Sequence, residues 1–509
     1  MSVIDLPISQ GFYVSDSLPI SNQRCVNFRP NMPQTATFTA DNLFGTPGIT
    51  ELLSVDPNDT TRGSHVMSGI PYFVIGGSLF RLNKAIVDGL DSFSVDNLGA
   101  VEGANRVYMA DNGNQLCIVV PPQGVVTAGK SYIFTDSPDT LAEITDVNFD
   151  GPAASVVFID GYFSFHKSDG KKFFNSPLGD GRGLPSGTAY DPLDFSTAEA
   201  DPDQIRAQIV YRNQLYVLGS ETTEPFRNIA RAPAPFQRIA GGIIDVGIVA
   251  PHSIALIGGA FAFVGAGVNE SPAIWMIHGG GKQKLSTTAI DNVLSKLSDS
   301  DAENIFSWVY AEAGAYFYGV TLPDTCFVYD VANKRWHERQ STLRTDLTQY
   351  RVASMVAAYG RILVGDLQSG VIGELDNEVY LEYGLLIRRF VTSQPFDNKG
   401  LPVVVSYIEA VCENGVGLAN DITLAVGTTE TGAPIEAIGG SDPMVTLSWS
   451  DNGGRTFVGG RSRSLGKIGK YRMRQIWRRM GRFSRSRVLR LEISAPVKAV
   501  IIKVEADVA

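Results

Sequence analysis

Between Asn452 and Leu491 the chain carries thirteen arginines and lysines and no Asp or Glu. They are Arg455, Arg461, Arg463, Lys467, Lys470, Arg472, Arg474, Arg478, Arg479, Arg482, Arg485, Arg487 and Arg490. Guanidinium and ammonium groups at this density attract anions, either the phosphates of a nucleic-acid backbone or the carboxylates of an acidic protein surface. The 509-residue chain has a formal net charge of −10, so its other 30 basic residues are set against all 53 acidic ones. Charge segregated on this scale points to an anionic partner, to a neighbouring subunit's acidic face, or to both.

Catalytic patterns are weak. His65, His166, His252, His278 and His337 form no HExxH or HxH pair, so a metal site would need ligands gathered from distant segments. His278-Gly-Gly-Gly-Lys282 lacks the spacing of a phosphate loop and fits a glycine hairpin; Gly179-Asp-Gly-Arg-Gly183 lacks the third glycine and the βαβ context of a dinucleotide fold. Ser450-Asp-Asn-Gly-Gly-Arg-Thr-Phe457 resembles the Asp-box hairpin of sialidase propellers, with Asn452 and Phe457 in place of its Asp and Trp, and argues for a turn alone. No carboxylate pair stands out for glycosidase chemistry. We expect no enzyme activity, no metal and no cofactor.

The basic residues need a frame to hold them. Through Lys470–Arg478 charged and apolar residues alternate, which in a strand turns Tyr471, Met473 and Trp477 to a core and Lys470, Arg472, Arg474 and Arg478 outward. Arg487–Ser494 repeats the pattern, with Leu489, Leu491 and Ile493 on one face. The candidate DNA-channel or subunit-interface residues are therefore Lys470, Arg472, Arg474, Arg478, Arg479, Arg482, Arg485 and Arg487.

Upstream, a strand–turn–strand pattern recurs around Gly76, Gly113, Gly161, Asn213, Gly258, Gly314 and Gly360. The spacing suits four short strands per unit, the content of a propeller blade, and Asn112-Gly113 and Asp160-Gly161 suit the positive φ angles of two-residue hairpin turns. After residue 386 longer alternating strands take over. The expected fold is all-β: a six- or seven-bladed β-propeller over residues 61–385 and a basic-faced, sandwich-like β-domain over 386–509. Residues 1–60 pack on that second domain or close the ring. One segment, Ser286–Leu297, has helical spacing, with Ser286 or Thr287 as its cap and Ile290, Val293, Leu294 and Leu297 on one face, a packing stripe or a subunit contact.

With 44% apolar and 19% charged residues the chain is that of a folded protein. Its four scattered cysteines predict free thiols, the first residues lack the character of a secretory leader, and the most apolar run, Ile254–Gly267, is too short to span a membrane. Synthesis and assembly in a cytoplasm are expected.

Several segments, in order along the chain, resemble the packaged-DNA stabilisation proteins of short-tailed bacteriophages, the family that forms the tail hub or nozzle. They are Cys25-Val-Asn-Phe-Arg-Pro, Leu43-Phe-Gly-Thr-Pro-Gly-Ile, Gly219-Ser-Glu-Thr-Thr-Glu-Pro-Phe, Leu285-Ser-Thr-Thr-Ala-Ile-Asp, Ser450–Phe457, Leu465-Gly-Lys-Ile-Gly-Lys-Tyr-Arg and Trp477-Arg-Arg-Met-Gly. At Thr222-Thr-Glu-Pro225 the chain departs from the family's apolar-acidic-aromatic run. The resemblance implies a non-enzymatic virion protein, a propeller plus β-domains. Its six copies would form a ring below the portal and its head-to-tail adaptor. That ring would extend and close the channel for packaged double-stranded DNA, and hold a tail needle or plug and, in some members, tailspikes or fibres. The contrasting expectation, permitted by a propeller alone, is a phage glycosidase or glycan-binding protein.

Overall fold

In a computed structural model, seven sheets of mostly four antiparallel strands are arranged around an axis. The structure describes residues 2–33, 35, 39, 41–122, 129–183, 187–198, 203–343, 346–399, 401–428 and 434–508. The innermost strands are Thr61–Met67, Tyr108–Asp111, Ala153–Ile159, Ile205–Tyr211, the short Gly247–Ile248 and Ala255–Ile257 pieces, Phe306–Glu312 and Val352–Ala358. Each lies beside the next and the last returns to the first, so the ring is closed.

Turn chemistry sets the blades. At Ser68-Gly69, Asp160-Gly161, Arg212-Asn213, Gly258-Gly259, Ala313-Gly314 and Tyr359-Gly360 both residues have positive φ, the geometry whose twist matches a tight hairpin. Each joins the first strand of a blade to its second. Gly76 does not: it joins the second and third strands of blade one, and the equivalent turn there is Gly69. Asn112-Gly113 also departs from the two-residue expectation. The loop runs over 112–114 with only Gly113 at positive φ, because Asn112 Oδ1 accepts from the Asn114 and Gln115 amides. Blade one has a long third–fourth hairpin, Ser78–Val87 and Leu90–Ala100, that exposes Ile86, Val87 and Leu90 at an Asp88-Gly89 tip.

The second body is a sandwich. One sheet runs Gln475–Phe483, Val403–Cys412, Val500–Val508, Asn42–Gly45, Phe28–Asn31, with Ser2–Leu6 also on Val500–Val508. The other includes Cys25–Val26, Arg389–Thr392, Ser486–Ile493, Met444–Ser450 and Val458–Ser464. Between them lie Leu6, Phe28, Leu43, Ile408, Leu447, Trp477, Leu491 and Ile501, all buried. Residues 2–45 thus supply strands to both sheets, and Gly48–Asp56 pairs with Gly370–Asp376 as the outer strand of blade seven.

Both sheets at the junction are continuous. Blade six passes through Arg335–Leu343 and Cys25–Val26 into the sandwich, where Arg24 is paired with Glu338 at 2.6 Å. Blade seven passes through Gly48–Asp56, Leu381–Glu382 and Leu385–Leu386 to Ile422–Thr428.

Beside this second seam Glu382 is buried, near Arg351, Arg339, Asp366, Tyr350 and Tyr383, and burial pushes its carboxyl up to about 7 despite the opposing pull of Arg351. The folded protein holds this proton up to a higher pH than the unfolded chain does. The associated stability is fully present below about pH 4.5 and is lost as pH rises through about 7. Glu382→Gln is therefore expected to raise stability at pH 8 by about 1–3 kcal/mol and to leave it nearly unchanged at pH 4.5, as read from denaturant midpoints at the two pH values.

The only helices among the described residues longer than one turn are Thr288–Leu294 and the short Asp299–Glu303. Ile290 and Leu294 are buried, and Val293 and Leu297 pack against the same core of blades five and six. Much of the apolar face is thus used for packing inside the chain. Neither capping expectation holds. Thr287 occupies the cap position without a side-chain cap bond, and Ser286 Oγ accepts from the Ile274 amide while donating to Asp291.

Candidate functional site: a basic ribbon on two sheet edges

The strands Val458–Ser464 and Gln475–Phe483 are the free edges of the two sandwich sheets, and the chain between them turns at Gly466 and Gly469, both at positive φ. The two edges lie against each other. Arg463 Nε donates to the Ile476 carbonyl at 2.9 Å, Arg461 to the Arg478 carbonyl at 3.4 Å, and Trp477 Nε1 to the Arg461 carbonyl at 2.7 Å. Arg461 also lies over the Trp449 ring, 5.3 Å from its centroid. Charged side chains on an edge also discourage pairing with a foreign strand. Part of the basic character of this ribbon has that local explanation.

The remaining charge faces water. Lys470, Arg472, Arg478, Arg479, Arg482 and Arg485 are exposed, and among the described residues none is ion-paired within the chain. Arg478 and Arg479 are neighbours on one face because a bulge opposite Val405–Tyr407 puts Arg479 at φ +58, after which Met480 returns to the core. Arg474 is exposed but pairs with Glu409 at 2.6 Å.

Arg487 leaves the candidate set. Its side chain is 2% exposed, bonded to Asp451 (2.6 Å) and to the Met480 carbonyl, and stacked on Phe483. Its phase gives the reason: Arg487 shares an odd-numbered face with Leu489, Leu491 and Ile493, a signal present in the sequence. Tyr471 and Met473 are corrected in the opposite direction. The glycine turns delay the strand until Gln475, so both are exposed, while Trp477 is fully buried. Tyr471 lies instead against the backbone of Gly415, where a Cβ would meet its ring at 2.6 Å.

The other motifs are structural. Asn452 takes the turn-forming role of the Asp-box residue, accepting from the Thr456 amide at 3.0 Å and donating to Thr456 Oγ1 at 2.8 Å, and Asn22 ties the N-terminal segment to Gly454 at 2.8 Å. Gly279-Gly280 is a hairpin tip between His278 and Gly281. Thr222, Thr223 and Glu224 are buried, with Thr222 bonded to Asp203 and Glu224 facing Arg238. Burial lowers His166 and His252 to about 3, leaving both neutral. No group of three His, Cys, Asp or Glu among the described residues could hold a metal ion. No helix there is long and apolar enough to cross a membrane. All four cysteines are buried free thiols.

A closed propeller, sealed by its own N-terminal strand and fused through two sheets to a sandwich with a basic edge, defines a two-part all-β protein rather than a stand-alone propeller. Two family models match in series: bacteriophage P22 Gp10, beta-propeller, over residues 4–380, and bacteriophage P22 Gp10, beta-sandwich, over residues 409–509. The chain belongs to the bacteriophage P22 Gp10 family. No curated protein matches it.

Among solved structures it is similar to the computationally designed Ika8 protein (12% identity, TM-score 0.34, covering 64% of this chain and all of that one). It is also similar to the extracellular domain of a putative hybrid two-component system of B. thetaiotaomicron (10%, 0.41, 77% and 47%). A third is an exo-beta-1,3-galactanase of Phanerochaete chrysosporium (9%, 0.30, 84% and 100%). Likeness this distant extends to neither ligand nor activity.

Proposed function

We propose that this chain is the ring-forming nozzle of a phage tail, a homo-hexamer below the portal and its head-to-tail adaptor. The ring extends and closes the DNA channel, retains the packaged genome and mounts the needle or plug. It acts as a scaffold and not as an enzyme, and it assembles in the host cytoplasm before joining the virion.

The observation that carries this reading is the run of exposed arginines, Arg478, Arg479, Arg482 and Arg485, without acidic partners among the described residues of their own chain. They sit on a chain whose remaining surface is acidic, which favours basic-to-acidic contacts between successive copies in a closed ring or with the adaptor. A channel through which DNA must slide is poorly served by many tight phosphate contacts. The exposed Ile86, Val87 and Leu90 at the blade-one hairpin add an apolar contact point at another site.

Native mass of the purified chain, alone and with the adaptor complex, tests the reading. A six-copy ring, formed alone or on the adaptor, is the expected result. A monomer that ignores the adaptor at both low and moderate salt overturns it.

A further inference from the structure

Beyond Arg81 the third and fourth strands of blade one pair only with each other, so that Leu82–Val95 forms a two-stranded arm. A ribbon of two strands is marginal by itself, and this one is footed on blade seven. Tyr359 donates to the Leu82 carbonyl at 2.8 Å, and Arg361 pairs with Asp91 at 2.6 Å while lying over Phe93. The tip beyond that footing stands in water: Ile86 and Leu90 are each 74% exposed, with Val87 and Asp88 exposed between them. Carboxylates outnumber cations along the arm and its base. Arg81 alone meets Asp96, Asp136 and Asp139, and Arg361 meets Glu374 as well as Asp91, which also holds Lys84. Asp88 has no ion pair among the described residues.

A second exposed surface has the opposite charge. Every residue from Lys467 to Arg474 is exposed. Ile468 (63%), Tyr471 (70%) and Met473 are interleaved there with Lys467, Lys470 and Arg472, none of which is ion-paired among the described residues. The loop is held in shape. The Lys470 amide donates to the Lys467 carbonyl at 2.9 Å, the Gly417 amide to the Gly466 carbonyl at 3.3 Å, and Asn414 Nδ2 to the Met473 carbonyl at 3.1 Å. A loop fixed before it binds loses little freedom on binding. Its composition selects the partner. Phosphates would satisfy the cations and leave three apolar side chains in water, whereas Ile, Tyr and Met among cations match a partner with an apolar centre and carboxylates around it.

We infer that the blade-one arm of one copy docks its tip, Ile86–Leu90, on the Lys467–Arg474 loop of a second copy of this chain. Ile86, Val87 and Leu90 cover Ile468, Tyr471 and Met473, while Asp88 and the acidic arm face Lys470 and Arg472. Each chain carries one surface of each kind, and the exposure of both shows that neither covers the other within the chain. The contact is therefore head-to-tail, the kind that repeats from copy to copy until a ring closes. It rests on the ring proposed above and names the contact that builds it.

The test uses the intact chain. Val87→Cys and Ile468→Cys are made in separate chains, whose native thiols are all buried. A short bismaleimide is added to each variant alone and to their mixture, under the conditions in which the ring assembles by itself or on the adaptor. Cross-linked dimers are expected in the mixture only. Leu90→Lys, at an exposed position, should leave the thermal midpoint unchanged and raise the concentration needed for half-assembly roughly tenfold or more. Cross-linking within either variant alone, no cross-linking in the mixture, or a ring that forms at unchanged concentration with Leu90→Lys overturns this contact and leaves the ring reading standing. Leu90→Lys chains that assemble normally while Tyr471→Ser chains lose only the adaptor overturn it too, and assign the loop to the adaptor. A chain that makes no ring, alone or on the adaptor, overturns both.

Discussion

Removal of residues 1–56 is expected to unfold the sandwich and open the propeller together. Leu6, Ile8, Cys25, Phe28 and Leu43 are buried in the sandwich core, Val26 pairs in its second sheet, and Ile49 lies in the core beneath blades six and seven. Each large apolar side chain contributes about 1.5–3 kcal/mol on burial. Their combined loss, roughly 10 kcal/mol or more, is comparable to the whole stability of a typical domain, about 5–15 kcal/mol. Three sheets would also gain raw edges, with Arg389–Thr392 losing its pairing to Cys25–Val26. Phe28–Asn31 and Asn42–Gly45 would leave the end of one sandwich sheet, and Gly370–Asp376 would be left unpaired in blade seven. Calorimetry of the truncated chain should show no cooperative transition in the range of the full chain, and limited proteolysis should cut both bodies. A truncated chain that retains a cooperative propeller transition would assign ring closure to other contacts.

The second large effect separates two arginines that look alike in sequence. Arg487→Ala removes a guanidinium sealed beneath Phe483 and Trp449, leaving the Met480 carbonyl without its donor, and should cost about 3–5 kcal/mol of stability. Asp451 is half open to water, so most of that loss comes from the packing and the carbonyl rather than from the ion pair. Arg478→Glu with Arg479→Glu changes two exposed residues and should move the unfolding midpoint little. The same double reversal is expected to block assembly into the ring or onto the adaptor altogether. Sedimentation of the variant with the adaptor, beside its denaturation curve, reads both quantities. Normal assembly with altered genome retention alone would instead place these arginines on the DNA.

The blade repeat was legible because hairpin turns depend on local residues: Asp160-Gly161 and Arg212-Asn213 form the same turn wherever they occur. The first blade fell one strand out of phase because Ser68-Gly69 looks less like a turn than Gly76-Gly77 does. Blade count, by contrast, depends on Gly48–Asp56 returning to Gly370–Asp376, a pairing across more than 300 positions that periodicity cannot show. In the basic segment, alternation placed Trp477 and Leu489–Ile493 correctly. It failed at Tyr471 and Met473, where two glycine turns shift the strand's start, and at Arg487, where charge obscured phase. The tip Ile86-Val87-Asp88-Gly89-Leu90 carried a plain hairpin signal between apolar flanks, and it was missed because it lies outside the regular spacing.

The unbroken sheets at the junction have a mechanical consequence. Tension applied to the sandwich enters the propeller along backbone ladders in blades six and seven, which resist sliding as a set, instead of through a linker that can swivel. Each copy would then move as one stiff lever, and any widening of a passage framed by several copies must come from slippage where copies meet.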